Sequence, residues 1–163
     1  MLTSNFISQS IEETLERGRE IGRQIRAPLL IALTGELGGG KTTLTKGIVA
    51  GMGVAKEDDV TSPTFTLVHF YHNASRVYHV DLYRVRDFLD FETLGIEDIF
   101  LEPAVLIIEW ADKINLKTDW PRVEIHLAHV DENRRQIEIR DPSDALGTQA
   151  PGAPAGGSRQ AVS

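Results

Sequence analysis

The sequence predicts an α/β fold with three layers and a sheet that mixes parallel and antiparallel strands. Three observations carry that prediction. Leu29-Leu30-Ile31-Ala32-Leu33 is an apolar run of strand length leading into a glycine-rich turn and then a helical segment, the order of a parallel strand–turn–helix unit. Ala104-Val105-Leu106-Ile107-Ile108-Glu109 is a second such run that closes on a carboxylate, as a central strand buried on both faces would. Two further strand-like segments are separated by only four turn residues, His72-Asn73-Ala74-Ser75. A parallel crossover needs about a dozen residues, so these two must pair antiparallel.

Taken in order, residues 8–26 read as the first helix. Ile11, Leu15, Gly18, Gly22 and Ile25 recur at spacings of three and four and give one apolar face. Ser10 and Glu13 have the S-x-x-E spacing of a capping box. Glycines cost helix stability, so Gly18 and Gly22 are expected to allow close approach to the sheet. This is first a packing helix; an N-terminal end that borders a nucleotide base is the open alternative.

After the Leu29–Leu33 strand comes Gly35-Glu36-Leu37-Gly38-Gly39-Gly40-Lys41-Thr42, which fits G-x-x-x-x-G-K-[ST] with a strand before it and a helix after it. The chemistry needs this composition. Without Cβ atoms, successive backbone N–H groups from Glu36 to Gly40 can converge on phosphate oxygens, and the helix N-terminus adds partial positive charge. Lys41 then reaches the β- and γ-phosphates, and the Thr42 hydroxyl can hold Mg²⁺. The fold is accordingly P-loop NTPase-like. The helix is expected over 43–52, stopped at Gly53 by a residue at positive φ.

Residues 54–60 are polar and irregular. Pro63 stiffens the entry to a β-rich stretch, 64–71, and 76–82 forms the second strand of the hairpin. A short helical pattern covers 90–100, broken at Gly95, and Pro103 precedes the Val105–Ile108 strand. A brief helical turn is expected over 111–117. Val123–Leu127 and Gln136–Arg140 alternate as half-exposed antiparallel strands around the turn Asp131-Glu132-Asn133-Arg134. From Pro142 the composition shifts to Pro, Gly, Ala, Ser and Gln, which cannot bury enough surface to offset ordering entropy. One domain over 1–141 and a disordered tail over 142–163 are therefore expected, and deleting the tail should leave stability unchanged.

Composition narrows the classes. The 163 residues suit one domain with a real core. There is no cysteine, so no disulfide framework exists and a reducing cytoplasm is the expected home. The start, Met1-Leu2-Thr3-Ser4-Asn5, lacks the basic and apolar regions of a signal peptide, and no apolar stretch nears the ~20 residues of a membrane helix. A net charge of −7, from 24 acidic and 17 basic residues, argues against a large nucleic-acid footprint. Any RNA connection is expected to run through a partner.

A phosphate loop needs acids to manage Mg²⁺ and water. Asp81 and Glu109 each end a hydrophobic strand at the edge where open α/β sheets place ligands. Glu109 is assigned to Mg²⁺, directly or through water, and Asp81 to the attacking water or the second metal shell. Thr64 and Thr66, beside the Pro-constrained turn, are candidates for sensing the γ-phosphate as switch loops do, with plain β-propensity as the competing account. Trp110 is either core or a ligand stacker. His69 and His72, like His126 and His129, are three apart and point to opposite faces of a regular strand, which disfavours zinc. Asp81-Leu82-Tyr83-Arg84 lacks the glycine of D-x-x-G, and Asn115-Leu116-Lys117-Thr118-Asp119 does not spell N-K-x-D. ATP is therefore expected over GTP.

The ordered set Gly-Glu-Leu-Gly-Gly-Gly-Lys-Thr-Thr, Ser-Pro-Thr-Phe-Thr-Leu-Val, His-Val-Asp-Leu-Tyr-Arg, Gly-Ile-Glu-Asp and Ile-Ile-Glu-Trp resembles the TsaE (YjeE) family over about residues 5–140. These are bacterial ATPases required to make threonylcarbamoyladenosine in tRNA. The resemblance implies ATP and Mg²⁺ as cofactors, with ATP acting as a switch on a TsaB–TsaD transferase complex and tRNA engaged only through those partners. It implies phosphate and Mg²⁺ roles for Lys41 and Thr42 and a second Mg²⁺ contact for Glu109. Thr43 and Asp81 would support turnover, Ser62 and Thr64 would match a switch-like segment, and Arg134 would lie near the nucleotide. The chain departs from the family pattern at Gly39, where the family has Ala, which should loosen the loop. It departs again at Ala111, where the family has Pro, leaving the turn after Glu109 less constrained. A small-molecule kinase is the main alternative, although the arginines are scattered and form no evident lid. A nucleotide-binding adaptor without meaningful hydrolysis is the third reading.

Overall fold

Seven strands, counted among the described residues, build one sheet: the two central ones are continuous apolar runs, and those toward the β6–β7 edge alternate apolar and polar residues. The computed structural model describes residues 2–36, 40–61, 68–73, 75–86 and 95–147. The strands are β1 (Leu2–Ser8), β2 (Leu29–Gly35), β3 (Val68–His72), β4 (Arg76–Asp81), β5 (Val105–Glu109), β6 (Arg122–His129) and β7 (Arg135–Asp141), in the order β1-β7-β6-β2-β5-β4-β3. β2 is parallel to both β5 and β6, and β4 is parallel to β5. The hairpins β3–β4 and β6–β7 are antiparallel, and β1 adds antiparallel to β7. The mixed sheet is as expected. β1 is not: its short alternation at Phe6 and Ile7 carries little signal, and pairing with β7 makes it a strand.

Two helices, α1 (Ile11–Gln24) and α2 (Lys41–Gly51), pack on one face. That face takes the odd-numbered side chains of the central strands, Leu29, Ile31 and Leu33 with Val105, Ile107, Val77, Val123 and Ile125. The even-numbered ones, Leu30, Leu106, Ile108 and Val80, meet Ile96, Ile99, Phe100 and Trp120 on the opposite face. The third layer is thus made from the 3₁₀ turns at Ile96–Leu101 and Ala111–Lys113 and the chain that follows, with no long helix among its described residues. Beyond it the sheet face of β6 and β7 stays polar, with Glu124, His126, Glu138 and Arg140 in an open groove.

The glycines of α1 do face inward, but toward α2 and not the sheet. A Cβ on Gly18 would stand 2.5 Å from Leu44 O and 2.9 Å from Gly47 Cα, and one on Gly22 would meet Gly51 Cα at 3.0 Å. Gly18 and Gly22 face Gly47 and Gly51, so the two backbones touch. The buried face of α1 is Thr14, Gly18, Ile21 and Gly22, while Ile11, expected inside, is 71% exposed. Ser10 caps the helix by accepting from Glu13 N at 3.1 Å.

The tail boundary also moves. Leu146 is buried in the helix-side core, and Asp141 accepts from Ala145 N at 2.7 Å and Leu146 N at 2.9 Å. Ordered structure therefore continues past Pro142 to Gly147; residues 148–163 lie outside the described residues. So do Leu37, Gly38, Gly39, Ser62, Thr64, Thr66 and the first part of the 90–100 segment. No described helix is long and apolar enough to cross a membrane.

Candidate functional site

The pleat of two neighbouring strands places the acids. On β4, Val77, His79 and Asp81 share the helix-side face; on β5, Val105, Ile107 and Glu109 do the same, and Asp81 pairs with Glu109 in register. Along each strand the side chains change from apolar to ionisable toward the carboxyl end. That end lies at the N-terminus of α2, where a parallel sheet leaves a crevice.

α2 starts two residues earlier than its sequence pattern suggests, at Lys41, because Gly40 takes φ 99° and turns the chain from loop into helix. Its first turn presents Lys41, Thr42 and Thr43 to the crevice. Thr42 Oγ1 is 3.3 Å from both Oε1 and Oε2 of Glu109, which is 2% exposed. Lys41 Nζ donates to Gly35 O at 2.8 Å and Glu36 O at 2.7 Å and stands 4.2 Å from the centre of the Trp110 ring. Burial pulls the lysine below its usual basicity, opposed first by Glu109 and then by Asp81. Asp81 is buried and accepts from Tyr83 N at 2.9 Å.

Trp110 holds φ 61°, a left-handed conformation that costs roughly 1–2 kcal/mol in a residue with a Cβ. Lys113 N donates to Trp110 O at 3.1 Å, so a 3₁₀ turn braces the chain where Ala111 removes the expected proline. The Trp110 ring is neither simple core nor isolated, since it contacts both Lys41 and Tyr83, whose ring centroid is 5.1 Å away.

These groups line a cavity of about 420 Å³. Its far wall is Ser10, Ile11 and Thr14 at the start of α1, the alternative left open for that helix. The β6–β7 turn supplies Glu132 and Asn133, and the first residue of β7 supplies Arg135. Arg134, the residue expected there, instead pairs with Asp131 through Nε at 2.8 Å, and alternation along the hairpin gives the lining position to its neighbour Arg135. Gly40, Lys41, Thr42, Thr43, Asp81 and Glu109 are brought together as expected, and Glu36 lends its carbonyl to Lys41. The residue that sequence reasoning missed is His79, fully buried with Nε2 2.6 Å from Glu109 Oε2. Its position two residues before Asp81 was the available signal, since period-2 spacing puts both on one face.

The chain is similar to known proteins in both sequence and fold. The model of the family described as threonylcarbamoyl adenosine biosynthesis protein TsaE matches residues 8–137. A tRNA threonylcarbamoyladenosine biosynthesis protein TsaE from Treponema pallidum is 32% identical over 133 residues, spanning 82% of this chain and 97% of that protein. The Aquifex aeolicus protein of the same name is 34% identical over 140 residues, 85% of this chain and 96% of its own. The crystal structure of YdiB from Bacillus subtilis superposes with a TM-score of 0.68 at 25% identity, covering 89% of each chain.

Proposed function

The chain belongs to the TsaE family of threonylcarbamoyl adenosine biosynthesis proteins, and from that premise we propose that it is a Mg²⁺-dependent ATPase. Its nucleotide cycle would drive or reset a TsaB–TsaD-type complex that forms threonylcarbamoyladenosine in tRNA. The observation that carries the ATPase reading is the convergence of Thr42 and Glu109 at 3.3 Å in the cavity that Lys41 also lines, with Lys41 and Thr42 closing a sequence that fits the phosphate-loop motif.

The residues fit the groups proposed. A hydroxyl and a carboxylate are the hard oxygen donors that Mg²⁺ takes. When bound, the ion would neutralise charge on the β- and γ-phosphate oxygens. Lys41 would exchange its two carbonyl partners for phosphate oxygens, so its charge is stored at the site before nucleotide arrives. The N-terminus of α2 adds backbone N–H groups and partial positive charge. Asp81, one strand over from Glu109, would orient water. Positioning and electrostatics carry most of phosphoryl-transfer catalysis, and a docked partner would supply more of both. Feeble turnover alone and a rise on partner docking follow from that.

The test is ATP turnover by the isolated chain, then with a purified TsaB–TsaD complex titrated in, with and without tRNA. Glu109→Ala should weaken Mg²⁺-dependent nucleotide binding, whereas Asp81→Ala should mainly slow turnover. Equal turnover with and without the complex, or fast phosphorylation of a small metabolite by the chain alone, would reject the switch reading in favour of a kinase.

A further inference from the structure

Glu109 has a partner besides Thr42, and it is an unusual one. His79 is fully buried on β4, in a row whose neighbours are Val77 on the same strand and Ile107 on the next. Its Nε2 lies 2.6 Å from Glu109 Oε2, while its Nδ1 is buried with no hydrogen-bond partner among the described residues. Across the β3–β4 pair, the His69 ring meets it edge-on at 6.3 Å. Leaving a ring nitrogen desolvated and unpaired is unfavourable. A valine there would pack without that cost. The compensation is the second nitrogen: a carboxylate only accepts, so Nε2 carries the hydrogen, and a bond to an ionised acceptor is roughly twice as strong as a neutral one.

The consequence concerns which carboxylate oxygen is available. Both Glu109 oxygens are equally far from Thr42 Oγ1, and the Lys41 ammonium attracts the same carboxylate. With nothing else holding it, the carboxylate would turn toward either donor. We infer that His79 is a positioning residue whose Nε2–H fixes Glu109 Oε2 and leaves Oε1 to the space shared with Thr42, thereby setting cation affinity at the site. This rests on Glu109 being the cation ligand proposed above. Outer groups that orient a metal ligand in this way commonly change affinity by about 10–100-fold when removed.

Side-chain length separates this role from packing. Glutamine places its NH₂ near the position of imidazole Nε2, whereas asparagine stops near Nδ1 and cannot reach Glu109. The experiment uses the full chain saturated with ADP, with Mn²⁺ as the probe ion and its affinity read by electron paramagnetic resonance. Melting temperature and ADP affinity in EDTA are measured alongside. His79→Asn and His79→Leu should bind Mn²⁺ about tenfold more weakly, His79→Gln should stay within about threefold of the parent, and metal-free ADP affinity should not move. A purely structural role would make Mn²⁺ affinity follow melting temperature and would not separate Asn from Gln; that result overturns the inference. So does parental Mn²⁺ affinity in His79→Leu when Glu109→Gln has lost it, which leaves the proposed function intact. If Glu109→Gln itself keeps parental affinity, the metal role of Glu109 falls and the inference falls with it.

Discussion

Replacing Gly18 by alanine sets two opposite effects against each other, and the structure decides which wins. Helix propensity alone favours the change: alanine is about 1 kcal/mol better than glycine in a helix interior. Against that, the added Cβ would lie 2.5 Å from Leu44 O, 2.9 Å from Gly47 Cα and 3.0 Å from Ile48 N. All three are backbone atoms of α2, so no rotamer can relieve the overlap, and the helices must part by several tenths of an ångström. Overpacking of this kind costs about 1–3 kcal/mol, and backbone contacts this short belong at the upper end. The net expectation is a loss of about 2 kcal/mol, or a melting temperature lower by roughly 4–8 °C for a chain of this size. Thermal unfolding followed by far-ultraviolet circular dichroism measures it. Leu44 lies one turn from Lys41, so ATP affinity should fall in the same variant. An unchanged or raised melting temperature would mean that propensity wins, and would refute the direct crossing of α1 on α2.

Other expectations bear on the site and the boundaries. Lys41→Ala would remove the proposed phosphate partner, a charged contact worth about 1.5–3 kcal/mol, so calorimetry should find ATP affinity down by roughly tenfold or more in a folded protein. A chain ending after Asp141 loses buried Leu146, worth about 1.5–3 kcal/mol, and should melt about 3–12 °C below one ending after Gly147. Burial, and then the neighbouring His79, hold the His69 imidazole below its ordinary value of 6.5. As pH falls, the unfolded chain therefore takes up that proton first, so stability is undiminished above about 6.5 and declines below it. Melting temperatures measured across this range should fall toward acid, less so in His69→Asn.

The strand–turn–helix unit was legible because it is local: glycines, Lys41 and Thr42 lie in one short stretch, and such a unit needs no distant contact to be recognised. Asp81 and Glu109 were legible for a related reason, since each closes an apolar run and the carboxyl ends of parallel strands converge. The hairpins followed from loop length. What depends on which elements lie side by side was out of reach. The alternation that puts Asp81 on the helix side also puts His79 there, yet only the neighbouring strand reveals that His79 meets Glu109. Gly18 and Gly22 declared a close approach without naming its partner, because a missing Cβ looks the same whether a sheet or a helix lies opposite. Composition likewise marked the change at Pro142 but could not count Leu146 into the core, since one apolar residue has no periodicity and its burial depends on the core it meets. The sequence by itself thus determined the family and the strands that close on Asp81 and Glu109. Tertiary structure decided the partners, because strand order, helix crossing and carboxylate orientation are set by contacts between segments far apart in the chain.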